Sequence, residues 1–217
     1  MIDAIFWLII LISFVIYFLM TIVYKKYDRF TNKDKLTGFD IALKITEKCK
    51  LEDVIIIETR KKYSDSYDGT RNVIKLSTPV FHNDSILSLI VGSYMASMLV
   101  GEKSNNLNKY LGIFVNTIVK YIIFIAYILI LLGAISGVFA IKTMGIFMLL
   151  AVFLFLIYYL RQKYYILDDA KEKIKKGLRK SENADKVLLL LLLKDFTIYV
   201  SVFIDIYEEI MYYIKKN

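Results

Sequence analysis

The stretch SILSLIVGSYMASMLVG, residues 85–101, contains no charged side chain. Asp84 or Ser85 can accept hydrogen bonds from the first free amides of a helix that starts here. The stretch is a little shorter than the roughly 20 residues that a helix needs to cross the hydrocarbon core, and apolar runs of this length also form buried core helices. We therefore predict a helix over residues 85–101, either buried in protein or spanning the membrane.

Small side chains form two ridges along this predicted helix, each at four-residue spacing. The ridges are Ser88, Gly92 and Ala96, and Ser93, Ser97 and Gly101. Small residues let a second helix approach closely, so the ridges predict a helix-packing surface. Two interpretations stay open, because the second helix belongs either to a partner or to this chain.

A small α+β domain is predicted upstream of this helix. Residues 36–50 (LTGFDIALKITEKCK) repeat apolar side chains at helical spacing, which indicates an amphipathic helix. Residues 54–57 form a β-branched run, and Asp68-Gly69 is a strong tight-turn signal before residues 72–76 (NVIKL). Two or three short strands are therefore expected within a domain over residues 25–118.

Three long uncharged runs predict membrane spans. The first follows Asp3, and the other two lie on either side of Lys142. Each has the ~20 residues that a membrane helix requires. We predict an uncleaved N-terminal anchor over residues 1–24 and a helical hairpin over residues 119–160, with Lys142 at its turn and reaching the headgroups.

The last apolar segment, residues 187–217, starts with a run of leucines and then carries charge. Its polar residues stack at i, i+3 and i+4 spacing into one stripe, which consists of Lys194, Thr197, Ser201, Asp205 and Glu208. One interpretation is an interfacial helix whose stripe faces water. The other is a spanning helix whose stripe faces the bundle or a partner.

Basic residues predict the orientation of the chain. They follow the first span at residues 25–29 and are concentrated in residues 161–186, whereas the predicted hairpin turn carries only Lys142. The positive-inside rule then places the N-terminus and the hairpin turn outside, and residues 25–118 and 161–186 in the cytoplasm. We expect the basic segment to be a solvated surface that faces anionic lipid, and a specific acidic partner is the alternative.

Composition defines the class of protein. The chain is 57% hydrophobic with one proline, which is too apolar for an ordinary soluble domain. Its net charge of +8 comes from basic residues beside the apolar runs, which favours a lipid bilayer over nucleic acid as the partner. We predict a mainly α, multi-pass protein of the cell membrane, with three to four membrane helices and a small α+β cytoplasmic domain.

Four short motifs occur in order along the chain. They are Leu36-Thr37-Gly38, Ser64-Asp65-Ser66-Tyr67-Asp68, Arg71 with Lys75-Leu76-Ser77, and Ser85-Ile86 at the start of the apolar helix. These motifs, and the order of anchor, small domain, hairpin and last helix, resemble the neutral zinc metallopeptidases of bacterial membranes, the YugP-like family. The resemblance covers nearly the whole chain and implies the fold of a membrane-embedded peptidase.

The same resemblance implies a zinc site whose residues have changed in this chain. In the family, the apolar helix carries A-A-H-E-x-G-H, in which two histidines bind zinc and the glutamate is the general base. Tyr94 and Met98 stand at the histidine positions, Met95 at the glutamate, Ser66 at the histidine of D-H-Y-D, and the third ligand falls near Leu167. Phenols and thioethers are poor zinc ligands, and a thioether cannot act as a base. We expect no metal centre and no other cofactor.

Other residues do not supply a replacement site. The chain has one histidine, His82, and one cysteine, Cys49. A single imidazole beside Asp84 does not provide the three or four protein ligands of a zinc site. Ser93 and Ser97 have no base at a recognisable spacing.

Three classes of function follow from these observations. The favoured hypothesis is a pseudoprotease, which is a catalytically inactive peptidase scaffold that acts as a binding or regulatory subunit of a membrane complex. An active relative is a candidate for its partner. The alternatives are a membrane enzyme with a non-standard site and, on the basis of the charged stripe alone, a transporter component.

Overall fold

The structure is a computed structural model that describes residues 2–32, 34–51, 53–60, 64–69, 71–104, 110–112, 114–177 and 182–200. Its helices are α1 (Ile2–Tyr27), α2 (Gly38–Lys48), α3 (Thr78–His82), α4 (Ile86–Ser104), α5 (Val119–Ser136), α6 (Phe139–Gly177) and α7 (Glu182–Leu193). Its strands are β1 (Ile55–Thr59), β2 (Ser66–Asp68) and β3 (Val73–Ser77). The prediction of a mainly helical protein with a small α+β domain is confirmed.

The described residues fall into two compact units. The membrane unit takes the described parts of Met1–Leu19, Phe114–Tyr159 and Leu193–Asn217, and the α+β unit takes those of Met20–Ile113 and Leu160–Leu192. Each unit is described by itself below.

The sheet of the α+β unit has β3 at its centre. β1 pairs with β3 in parallel, with Ile55 opposite Val73, and β2 pairs with β3 antiparallel. The predicted turn connects β2 to β3: the Asp68 carboxylate accepts a hydrogen bond of 3.1 Å from the Arg71 amide. Asn72 then takes a left-handed conformation with φ of 55°, which asparagine adopts more readily than most residues.

Both helices predicted in this unit begin at capping residues. The Thr37 side chain accepts a hydrogen bond from the Asp40 amide, and the Asp40 carboxylate accepts one from the Thr37 amide, so the two residues form a capping box at the start of α2. At the start of α4, the Ser85 hydroxyl accepts a hydrogen bond of 3.0 Å from the Ser88 amide. Ser85 is therefore the cap that its position suggested.

Helix α4 forms the centre of the α+β core. Among the residues that the structure describes, four helices are long and apolar enough to cross a membrane by length and composition: α1, α4, α5 and α6. In α4, 78% of the most apolar window is buried against other parts of the chain, compared with 22%, 22% and 28% in α1, α5 and α6. We therefore treat α1, α5 and α6 as the membrane-spanning helices and α4 as a core helix.

The hairpin of the membrane unit turns earlier than we predicted. Gly137 has φ of 69°, a left-handed conformation that glycine adopts at little cost, and it ends α5. Lys142 lies in the first turn of α6 instead of at the turn, and its ammonium group is 2.8 Å from the Asp3 carboxylate. This ion pair places the start of α1 and the start of α6 at the same end of the membrane unit.

Two further differences concern α6 and the C-terminal segment. Helix α6 continues without a break from Phe139 to Gly177, because residues 161–176 contain neither proline nor glycine. The C-terminal segment tightens into a 3₁₀ turn at Lys194–Thr197, where the Thr197 hydroxyl donates a hydrogen bond of 2.6 Å to the Lys194 carbonyl. The chain is helical again at residues 198–200.

Candidate functional site

The positions that correspond to the zinc motif lie on the buried face of α4. Tyr94, Met95 and Met98 are 2%, 2% and 1% exposed. They belong to one cluster of buried apolar side chains that also includes Ile74 and Leu76 of β3. The side chains at the motif positions are therefore part of the hydrophobic core.

The two small-residue ridges of α4 are covered within the chain. A Cβ atom on Gly92 would collide with the Gly38 carbonyl oxygen and would lie 2.8 Å from the Ile41 Cγ2 atom, so α2 crosses α4 at backbone contact. Ser88 donates a hydrogen bond of 3.2 Å to the Pro79 carbonyl, which connects α4 to α3. All five ridge residues from Ser88 to Ser97 are buried: Ser88, Gly92, Ser93, Ala96 and Ser97. The sixth, Gly101, is half-buried.

The Asp-Ser-Tyr-Asp segment contributes to the fold through Asp65. This buried carboxylate accepts hydrogen bonds from the Ser77 amide at 2.7 Å and the Ser77 hydroxyl at 2.8 Å. It also accepts one from the Tyr24 hydroxyl at 3.2 Å. Asp65 thus connects α1, the residue before β2 and the end of β3.

Ser66 points away from the motif positions of α4. Successive side chains of a strand point to opposite faces of the sheet. Tyr67 belongs to the same buried cluster as Tyr94 and Met98, so the half-buried Ser66 faces the other side. Leu167 lies on α6, but its side chain is outside the described part of the structure. The structure therefore groups Tyr94, Met95 and Met98 in one buried cluster and leaves Ser66 on the other face of the sheet.

The donor groups at these positions do not fit a zinc ion. They are a phenol, two thioethers and the Ser66 hydroxyl, whereas protein zinc sites use thiolate, imidazole and carboxylate. Within the described ranges, no three His, Cys, Asp or Glu residues are grouped so as to hold a metal ion. His82 is exposed, and its Nε2 atom is 3.3 Å from the Glu58 carboxylate.

Glu102 is a buried acidic residue that sequence reasoning did not identify. It lies one turn beyond Met98 on α4 and is 3% exposed. Its carboxyl group receives hydrogen bonds from the Tyr67 hydroxyl and the Gly69 amide, while its Oε1 atom has no hydrogen-bond partner among the described residues. Gly69 and Gly112 lie directly against this carboxyl group, so a Cβ atom at either position would force the Glu102 side chain to shift. The signal available in the sequence was the four-residue spacing from Met98.

The electrostatic environment makes Glu102 a titrating group near neutral pH. Burial raises its pKa from 4.5 to about 7, against the opposing effects of the Tyr67 hydroxyl, Lys163 and the Gly69 amide. Lys163 is itself buried, and its ammonium nitrogen lies 5.8 Å from the centre of the Tyr67 ring. Tyr67, Glu102 and Lys163 thus form a buried polar cluster beside the apolar motif positions.

We expect Glu102 to make the stability of the protein depend on pH. The unfolded chain releases this proton above pH 4.5 and the folded chain only above about pH 7, so stability falls between these values as the pH rises. The total loss is about 3 kcal/mol. Glu102→Gln should remove this dependence of stability on pH, which is measured as the slope of the unfolding temperature against pH, with intrinsic fluorescence as the signal. Glu47→Gln, at an exposed site of α2, is the control and should keep the slope. Identical slopes in the two variants would contradict the assignment.

Two of the five residues of the predicted C-terminal stripe lie in the described part of the chain. Thr197 is 8% exposed, within the membrane unit, and Lys194 is half-buried. The neighbouring Tyr199 is fully buried and donates a hydrogen bond of 3.1 Å to the Leu149 carbonyl. The other three, Ser201, Asp205 and Glu208, lie outside the described residues, so both interpretations of the stripe remain predictions.

Comparison with known proteins identifies the family. The family described as "Putative neutral zinc metallopeptidase" matches residues 2–205, which is most of the chain. The chain belongs to this family. It is 34% identical over 71 residues to a protein of Bacillus subtilis (strain 168) named "Putative membrane protease YugP"; the match covers 33% of this chain and 32% of that protein. The match thus spans about a third of the relative's length, and no solved structure matches the chain.

Proposed function

We propose that this protein is a catalytically inactive member of the family, a pseudoprotease that acts as a binding, scaffold or regulatory subunit of a membrane complex. The observation that carries the proposal is the burial of Tyr94, Met95 and Met98 in the apolar core. A peptidase of this class needs metal ligands and a base at these positions, open to a substrate. Here the positions hold apolar contacts instead.

Residues that support the fold keep their contacts, and this supports a retained scaffold. The capping box of α2, the hydrogen bonds of Asp65 to Ser77 and the close crossing of Gly38 and Gly92 are all formed. None of these contacts requires a metal. These contacts therefore support a fold that holds together without a metal centre.

The proposed setting is the cell membrane, with a membrane protein as partner. The N-terminus lies outside and the α+β unit and the basic segment 161–186 lie in the cytoplasm, in accordance with the positive-inside rule. The Asp3–Lys142 ion pair supports the part of this arrangement that puts the N-terminus and the hairpin turn on one side. Because the α4 ridges are covered, the proposed partner binds elsewhere. An active relative is one candidate.

A second candidate function is a membrane enzyme with a non-standard site, and one observation favours it. Glu102 has a pKa of about 7 beside Tyr67 and Lys163, and such tuning is common at catalytic sites. The relative's name specifies a membrane protease, so proteolysis is the reaction to test.

A peptidase assay separates these candidates. The full chain in lipid vesicles is incubated with an unfolded, fluorescently labelled protein substrate. We expect no cleavage above that of empty vesicles, with or without a zinc chelator. Cleavage that a chelator abolishes would refute the proposed inactivity. Cleavage that resists the chelator and disappears in Glu102→Gln would establish the second candidate.

A further inference from the structure

The turn between α5 and α6 is both apolar and exposed. Residues 134–140 (AISGVFA) are all exposed, and none of them is charged. The exposed fraction is 76% for Ile135 and 67% for Phe139. Turns that lie in water usually carry polar residues such as asparagine and aspartate. The composition of this turn instead matches the lipid-facing surfaces of α5 and α6, with which it is continuous.

The polar groups at the turn bond within the chain. Ser136 has the only polar side chain in residues 134–140. Its hydroxyl donates a hydrogen bond of 2.7 Å to the Leu132 carbonyl and accepts one of 3.4 Å from the Val138 amide. One turn into α6, the Thr143 hydroxyl donates a hydrogen bond of 2.8 Å to the Phe139 carbonyl. Hydroxyls that bond to their own helix do not need water, and lipid imposes this condition on polar groups.

The length of α5 limits how far the turn can extend beyond the lipid. No charged residue lies between Lys120 and Lys142. The helix rises about 24 Å from Lys120 to Ser136, whereas the hydrocarbon core is about 30 Å thick. Helical side chains tilt toward the N-terminus, so Lys120 can extend away from the turn and supply the remaining distance. A turn that stood in water would draw Lys120 into the hydrocarbon.

The charges nearest to the turn form an ion pair. Lys142 lies about 4.5 Å below Phe139 along α6. Its backbone lies against α5, because a Cβ atom on Gly133 would collide with the Lys142 amide nitrogen. The Lys142 ammonium group is 2.8 Å from the Asp3 carboxylate. Because each charge has a partner of opposite sign, the pair does not require the turn to stand in water.

We propose that residues 134–140 lie in the lipid, at the boundary between the hydrocarbon core and the headgroups, with Ile135, Val138 and Phe139 against acyl chains. The partner of this exposed surface is the bilayer and not a protein. The inference concerns the membrane unit and does not depend on the proposed loss of catalysis. It closes the turn to water-soluble partners on that side of the membrane.

The test uses the fact that Trp7 is the only tryptophan of the chain. In a Trp7→Phe background, Phe139→Trp reports on the turn. Phe147→Trp, at a 59% exposed site further along α6, is the reference in lipid, and Glu47→Trp, at an exposed site of α2, is the reference in water. Each full chain is placed in phosphatidylcholine vesicles whose acyl chains carry bromine either near the headgroup or near the methyl end.

We expect the emission of Phe139→Trp to shift to shorter wavelength than that of Glu47→Trp, because lipid is less polar than water. Its intensity should fall more with bromine near the headgroup than with bromine near the methyl end. Phe147→Trp should show the opposite order, since it lies about 12 Å deeper along the helix.

Two results would overturn the proposal. One is an emission of Phe139→Trp at the same wavelength as that of Glu47→Trp. The other is quenching by aqueous iodide without quenching by either brominated lipid. Quenching of Phe147→Trp by brominated lipid shows that the hairpin is inserted, so a water-exposed turn is distinguishable from failed insertion. If Phe139→Trp does not fold, the neighbouring exposed site serves as the reporter, as Val138→Trp.

Discussion

Gly92→Val is expected to unfold the α+β unit, with a loss of at least about 3 kcal/mol in the free energy of unfolding. The new Cβ atom would meet the Gly38 carbonyl oxygen, which belongs to the backbone of the crossing helix and cannot rotate away. Helices α2 and α4 would have to separate along their whole contact. The measurement is thermal unfolding of the purified chain in detergent.

Ala134→Val provides the control for Gly92→Val. It places the same side chain on an exposed face of α5, where it meets solvent or lipid. We expect its unfolding temperature to stay close to that of the native chain. An equal, small change in both variants would show that α2 and α4 do not cross at backbone contact.

Met95→Glu is expected to have the second large effect. Met95 is 2% exposed among apolar side chains, so a glutamate there loses its hydration with little compensation. We expect a loss of about 3 to 5 kcal/mol at neutral pH, with partial recovery at acid pH when the carboxyl group is protonated. Met95→Leu keeps the volume and the apolar contact, and its cost should stay below about 1.5 kcal/mol. Equal stability of the two variants at neutral pH would contradict the burial of this position.

The expected cost of Met95→Glu implies that the core around this position does not suit the glutamate that the family's motif carries there. In the family, a glutamate at this position serves a metal-bound water, so its environment must be polar. The contacts around Met95 are apolar, and the neighbouring Tyr94 and Met98 fill the same core. Restoring the motif residues alone would therefore add buried polar groups without restoring the space and hydration that a zinc site needs.

Local features of the fold could be predicted from sequence because they depend on neighbouring residues. The capping boundary of α4 at Ser85, the turn at Asp68-Gly69 and the apolar spans each follow from chemistry within a few positions. Family membership followed from several such features in order. These features account for the predicted mainly helical fold with its small sheet.

Features that depend on distant contacts could not be predicted. Lys142 suggested the hairpin turn because it interrupts an apolar run, but its charge is paired with Asp3 instead. The predicted boundary after residue 160 has a local explanation instead: it marked a change from apolar to basic side chains, and such a change does not end a helix, so α6 crosses it. Glu102 is buried beside Tyr67 and two glycines. Its four-residue spacing from Met98 indicates a shared helix face, but it does not indicate that the carboxyl group is buried.

The central claim is that the family's fold remains here without its zinc centre, and the zinc content of the purified chain tests it most directly. The protein is purified in detergent, incubated with equimolar zinc, freed of unbound metal and measured by inductively coupled plasma mass spectrometry. A family member that retains the H-E-x-x-H motif serves as the positive control. We predict far less than one zinc ion per chain and an unfolding temperature that a chelator does not change. One zinc ion per chain, with a lower unfolding temperature after its removal, would contradict the claim.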